Sequence, residues 1–300
     1  PVMEPRIYLV VNVDADPDPV DTPADNDAVL EKYKIIQQLI NERCDGKAVI
    51  SVHSSPLYRE RFIQSPFVDF WKEWTSGGGD LVLHMEEDFY ALPENRRASS
   101  TGFENLEIVE QAMKETVSAL SSEGLTCRAY RGGSNSMTPE IAKVLTELGI
   151  SVDLSCAPGL IWKERAVNWA SAPLSGYFMS AQAPARAVDP GGQGPLLEIP
   201  LGWDGINDGD SAPRKPNHHY LANESSTYED LCRVWNIILE RADNSGNHQA
   251  VSLLSHTHTA KTARFHSQLD AFLRFVTTNR GIPASLTEIR TLVSGVTESA

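Results

Sequence analysis

The feature that most constrains this chain is an alternation of short, continuously apolar, β-branched runs with stretches of helical periodicity. The first run, Arg6 to Val13 (RIYLVVNV), leaves almost no polar position for a wet face, which suits a strand covered on both sides in a parallel sheet. It ends in Asp14 and Asp16, and after a turn-rich stretch Ala24 to Arg43 sets Val29, Leu30, Tyr33, Ile36, Leu39 and Ile40 at helical spacing. The order then repeats. Strand patterns at Ala48 to Val52, Leu81 to Leu83, Thr126 to Tyr130 and Ser151 to Leu154 alternate with helix patterns at Phe62 to Trp74, Leu106 to Leu120 and Pro139 to Leu148, the last with Thr138 as its N-cap.

The final third continues with a strand at Leu196 to Pro200, a helix at Tyr228 to Arg241, a strand at Ala250 to Leu254 and a helix at Gln268 to Thr277. Strict alternation implies a parallel sheet, so the expected fold class is α/β: a distorted (β/α) barrel of about seven parallel strands. Two stretches break the rhythm, 157–194 and 202–226, rich in Pro, Gly, Asn and aromatic residues; they read as long loop insertions at the active face. No internal repeat is present, which argues against a solenoid.

At 300 residues with 41% hydrophobic and 22% charged positions, the chain is expected to form one catalytic domain over 1–300. The net charge of −14 comes without any cluster of Lys and Arg to track a phosphate backbone, so nucleic acid is not an expected partner. No window of about 18 apolar residues offers a membrane span. Cys44, Cys127, Cys156 and Cys232 lack C-x-x-C spacing and read as reduced, mostly buried thiols, which favours a cytoplasmic location.

In parallel α/β folds, catalytic groups gather at the C-terminal ends of the strands. Here Asp14 and Asp16 close the first strand, His84 the third, Arg131 the fourth, Asp153 the fifth, and His256 with His258 the seventh. Hydrolysis with a divalent metal fits this set: two or three His or carboxylate ligands plus an open position let a water be activated and a carbonyl polarised. Asp16 and His84 are the first two candidate ligands. For a third, Asp88 would share a helical face with His84, whereas Glu86 would share a strand face, and spacing alone leaves both open.

These segments resemble the polysaccharide deacetylase family (NodB homology, carbohydrate esterase family four). Val13-Asp14-Ala15-Asp16 is similar to its first motif, which implies Asp14 as general base and Asp16 as metal ligand. The second motif is a His followed four residues later by another, matched here by His84 and Asp88. That carboxylate makes the site harder and more anionic, weakening zinc, the first expectation, and leaving other divalent ions open. Tyr130-Arg131-Gly132-Gly133 resembles the third motif, implying that Arg131 orients the base; Asp153 matches the fourth, although the family's nearby Trp is absent. Leu254-Ser255-His256 resembles the fifth, making His256 the implied general acid, with His258 the alternative. Asp14 and His256 are thus expected to flank the metal, with Arg131 and Asp153 behind them setting their ionisation. Leu197-Glu198-Ile199-Pro200 resembles the family's penultimate barrel strand and Ser285-Leu286-Thr287-Glu288-Ile289 its closing strand-to-helix turn, so the likeness spans nearly the whole chain.

The resemblance implies removal of an acetyl group from an acetylated sugar, as in surface polysaccharide biosynthesis. Two alternatives remain: hydrolysis of another non-peptide C–N amide, or a barrel that only binds carbohydrate. Trp162, Trp169 and Trp203 either stack on sugar rings or pin the long loops. His218-His219 reads as a solvated pair, His53 as a residue behind the site, and His248 and His266 as surface residues.

Overall fold

The computed structural model describes residues 4–15, 25–55, 59–86, 106–162, 167–180, 182–188, 194–207 and 217–295. The first half runs β1 (Ile7–Asp14), α1 (Asn26–Cys44), β2 (Val49–His53), α2 (Arg59–Phe62), α3 (Phe67–Ser76), β3 (Asp80–Met85), α4 (Leu106–Ser122), β4 (Cys127–Gly132), α5 (Pro139–Glu147) and β5 (Val152–Asp153). The second half runs β6 (Ile161–Trp162), β7 (Val167–Asn168), β8 (Tyr177–Ser180), β9 (Ala183–Ala187), β10 (Leu196–Glu198), α6 (Tyr228–Ser245), β11 (Gln249–His256), α7 (Ala263–Thr278), β12 (Gly281–Pro283) and α8 (Leu286–Ser294).

Seven strands form a continuous parallel path in the order β11-β1-β2-β3-β4-β5-β10, as the alternating pattern predicts. The antiparallel pair β8 and β9 extends β10, and β12 runs parallel to the lower half of β1. The path curls back on itself. Beyond β10, Leu201 forms a parallel bridge to Ser252 of β11, with Ser252 N–H donating to Pro200 O at 2.8 Å and Gly202 N–H to Ser252 O at 2.9 Å. Ala222 makes a second parallel bridge, to Leu254 of β11, so among the described residues short bridges and not a ladder close the ring.

Side-chain alternation divides the core in two. Ile7, Leu9, Val11 and Val13 of β1 point outward, into a layer shared with Tyr33 and Ile36 of α1, Trp71 of α3 and Trp235 of α6. Val10, Val49, Val82, Ala129, Val152, Leu197 and Ala250 form a second cluster inside the curl, joined by Leu286 and Ile289 of α8. Burying each such side chain contributes roughly 1.5–3 kcal/mol. Parity then fixes which polar residues face inward. Asp14, His84, Arg131 and His256 are each an even step along their strand from Val10, Val82, Ala129 and Ala250, whereas Asp153 is one step from Val152 and turns to the outer layer.

Local chemistry sets the helix ends. Asp25 caps α1 by accepting from Ala28 N–H, Thr138 caps α5 as its position predicts, and Thr227 with Asp230 and Ser285 with Glu288 form capping boxes on α6 and α8. The expected helix over Phe62 to Trp74 is two pieces, because Pro66 disfavours helical geometry at Ser65 and α3 starts only after it. The insertion at 157–194 contains β6 to β9, strands of two to five residues that are too short to leave a periodic signal. All four cysteines are free thiols, three of them buried, and burial pushes Cys44 and Cys127 up to about 12.

The pair Gly132-Gly133 ends β4 where two chain segments crowd it. A methyl group at Gly132 would lie 1.9 Å from Ser136 O, and one at Gly133 would lie 2.5 Å from a Glu86 carboxylate oxygen. Replacing Gly132 with Ala should therefore destabilise the fold by about 1–3 kcal/mol or more, as overpacking does. Urea unfolding checks this; an unchanged midpoint would mean the Ser136 backbone yields freely.

Candidate active site

Two inward-facing strand ends, β4 and β11, converge on the carboxylate that closes β1. Asp14, 2% exposed, accepts a hydrogen bond from Arg131 Nε at 3.0 Å on Oδ2, and His256 Nε2 lies 3.8 Å from the same oxygen. Asn12, two residues back on the same face, sits 3.5 Å from Oδ1. Arg131 is buried and also donates through Nη1 to Leu154 O at 3.2 Å, so its guanidinium is braced from β5 while it holds the aspartate on β1.

His84 completes the inward face beside this pair. Its Nδ1 lies 2.8 Å from Arg131 O, and a carbonyl oxygen only accepts, so Nδ1 must carry the proton. Its Nε2 lies 3.0 Å from Glu86 Oε1. In the neutral ring an Nε2 lone pair thus meets a carboxylate oxygen, an arrangement that calls for a proton or a cation between them. Donation of one ring N–H to a backbone carbonyl, which leaves the other nitrogen to face an ion, is how metal-ligating histidines are held, and here that other nitrogen is Nε2, beside Glu86. His84 and Glu86 therefore fit a divalent ion. His53 braces this ring: it pairs with His84 in register across β2 and β3, with ring centroids 5.4 Å apart and planes at 86°. Asp16 and Asp88, the other candidate ligands, lie outside the described residues; among the described residues no group of three or more His, Cys, Asp or Glu side chains is placed to hold an ion.

His256 precedes a short turn, Thr257–Thr259, that carries His258 outward; the two rings are 5.2 Å apart, but His258 is exposed while His256 reaches Asp14.

No family model and no curated protein matches the sequence. Solved structures do. A protein described as a polysaccharide deacetylase from Mycobacterium smegmatis aligns with a TM-score of 0.58 at 14% identity over 98% of this chain and 92% of its own. Another described in the same words from Pseudomonas aeruginosa PAO1 aligns with a TM-score of 0.54 at 12% identity, covering 95% of this chain and 90% of its own. The chain has the polysaccharide-deacetylase fold. The PuuE allantoinase shares that fold, with a TM-score of 0.58 at 12% identity over 99% of this chain and 93% of its own.

Within the deacetylase fold, the structure brings Asp14, Arg131, His84 and His256 together but not Asp153. Asp153 accepts from Ser155 Oγ at 2.6 Å and Ser155 N–H at 3.2 Å, and it pairs in register with Glu198 of β10 in the outer layer. The residue against His256 Nδ1 is instead Glu224, at 3.2 Å from a short turn, Asn223–Ser225, inside the second insertion. Sequence reading missed it because Asn223-Glu224-Ser225-Ser226 sits on no strand end and carries no motif. His218-His219 is not a solvated pair: His219 is buried, with Nδ1 2.7 Å from Asp204, whose Oδ2 also takes Arg233 Nη1 at 2.5 Å. Trp169 is buried too and donates to Asn135 O at 2.8 Å, so it pins its loop. Trp203 is half-buried and stacks on Tyr220, with centroids 5.9 Å apart.

Asp153 and Glu198 form a buried carboxyl pair, and burial raises both above the usual carboxylate range. Burial, then the neighbouring Asp153 charge, raises Glu198 well above the usual carboxylate range; Cys156 N–H donates to its Oε1 at 3.1 Å. Because the folded state keeps a proton that the unfolded chain releases above about pH 4.5, stability from this pair falls as pH rises. Glu198→Gln supplies the amide donor permanently. We expect its stability relative to the native protein to improve steadily between pH 5 and 8; guanidinium unfolding at both pH values tests this, and a pH-independent difference would contradict the raised Glu198 carboxyl.

Proposed function

We propose that this chain is a metal-dependent deacetylase that hydrolyses the acetamide of an acetylated sugar. The observation that supports this most is the convergence on Asp14 of Arg131 and His256, with His84 and Glu86 alongside at the same end of the parallel strands. His84 and Glu86 would hold a divalent ion, together with Asp16 or Asp88, which the sequence offers in the same region. Bound there, a divalent cation supplies Lewis acidity toward the acetamide oxygen and toward water.

The chain's own groups do the proton work. Asp14, oriented by Arg131 through Oδ2, takes a proton from the attacking water, and the buried guanidinium keeps that carboxylate from rotating away. His256 has Nδ1 turned to Glu224, so Nε2 is the nitrogen that delivers a proton to the departing amine. Acetate and a free amino sugar leave. The half-buried Trp203 and Tyr220 stack offers an aromatic surface near the loops for a sugar ring.

A second reading keeps the site and changes the amide. The allantoinase aligns as well as the deacetylases do, and Asp88 stands in the sequence where the motif has its second histidine, so hydrolysis of a cyclic amide is the competing activity. Assaying acetate release from acetylated amino sugars against ring opening of cyclic amides separates the two.

Asp14→Asn should retain bound metal and lose roughly 10²–10⁴-fold in turnover, since the amide preserves shape but cannot take the proton. His84→Gln and Glu86→Gln should each lower metal content itself. Metal analysis beside acetate release reads both effects. Full turnover by Asp14→Asn would refute the assignment of the base, and absence of any hydrolysis by metal-loaded native protein would leave a carbohydrate-binding barrel.

A further inference from the structure

We propose that Glu224 is a positioning residue that fixes the tautomer and orientation of His256, a task that the motif order implies for Asp153. The proposal rests on the reading of His256 as the proton donor to the leaving amine, but its geometry stands apart from that reading.

Glu224 is fixed before the imidazole is considered. Its Oε1 accepts from His256 N–H at 2.9 Å and Ser255 Oγ at 3.3 Å, with the Thr259 hydroxyl, whose one proton is shared between Glu224 at 3.0 Å and His256 O at 2.8 Å, beside it; Oε2 is left directed at His256 Nδ1, 3.2 Å away. These donors on one oxygen give the carboxylate a single orientation. The turn itself is clamped from both sides. Leu254 N–H donates to Leu221 O at 2.9 Å and Ala222 bridges Leu254, tying it to β11, while Gln268 Nε2 on α7 donates to Asn223 O at 2.6 Å.

A carboxylate facing Nδ1 selects the Nδ1–H tautomer and stabilises the imidazolium, as a buried acid does behind a catalytic histidine. Burial opposes ionisation of Glu224, but the hydrogen bonds and charge of His256 outweigh it and hold its carboxyl down at about 2. Asp14 approaches Nε2 from β1 with Arg131 of β4 bonded behind it, Glu224 approaches Nδ1, and His258 lies 5.2 Å away, ring to ring. Asp153 cannot serve, because strand parity turns it to the outer layer beside Glu198. The anion behind the histidine has therefore come from an insertion instead of from the fifth strand.

Nitrogen-15 NMR of histidine-labelled protein tests this without turnover, with the His256 signal assigned by its loss in His256→Asn. Native protein should show His256 protonated at Nδ1 in its neutral form. Glu224→Gln should lower the titration midpoint of His256 by about 1 pH unit or more, as loss of an adjacent opposite charge does. It should also cut kcat with KM nearly unchanged. Glu224→Asp keeps the charge but shortens the reach, so it should show a smaller drop and a reduced Nδ1–H population; it carries the test if Glu224→Gln fails to fold. The same tautomer and midpoint in a folded variant as in native protein would overturn the proposal. Altered NMR behaviour in a chain that releases no acetate would uphold the positioning role and count against the deacetylase reading alone.

Discussion

The interaction on which the site depends is the buried ion pair between Asp14 and Arg131, two residues 117 positions apart in sequence. A buried pair of this kind contributes little net stability, because desolvation of both charges offsets most of their attraction, yet removing one partner strands the other. Its value is geometric. The guanidinium spans the barrel interior from β4 to β1, takes Leu154 O as a third anchor, and its own backbone carbonyl holds the His84 ring. One residue thus sets the base and the metal-ligand candidate together, which is why Gly132 and Gly133 must follow it: any side chain there would displace Ser136 or Glu86.

A second constraint is the alternation of strand faces. The same residue type has opposite fates depending on parity. Asp14 faces inward, against a guanidinium. Asp153 faces outward, where burial raises its carboxyl and its charge helps to raise the neighbouring Glu198. Neither residue's chemistry follows from being an aspartate at a strand end; it follows from which side of the sheet the backbone presents.

Much of this was legible in the sequence. The apolar runs and their alternation with helical patterns predicted the parallel path, and strand-end positions picked out Asp14, His84, Arg131 and His256, which the fold brings to one interior face. What escaped has physical reasons. The face of Asp153 could not be read because Val152 and Leu154 flank it in a short run where both faces are buried and no polar alternation marks the inside. Glu224 escaped because it reaches His256 from an insertion whose path is set by tertiary contacts, not by local pattern. His219 looked solvated because its partner Asp204 lies 15 residues upstream, across a stretch with no periodic signal. Asp16 and Asp88 fall outside the described residues, so the sequence remains their only witness.

The closure of the ring between β10 and β11 has a consequence for how such a molecule can change. Six of the seven joints between parallel neighbours are ladders of paired residues, so a shift in any of them would re-register the rest; among the described residues the seventh is made by isolated bridges, Leu201 to Ser252 and Ala222 to Leu254. Trp203, Asp204, His219 and Glu224 all enter the structure after Leu201 and before β11. The part of the chain that supplies the partner of His256 is therefore tied to the cylinder by isolated bridges and side-chain clamps and not by a ladder of strand pairs. Remodelling there alters what surrounds the histidine while leaving the frame that carries the aspartate and arginine untouched, so the two halves of the site are free to diverge at different rates.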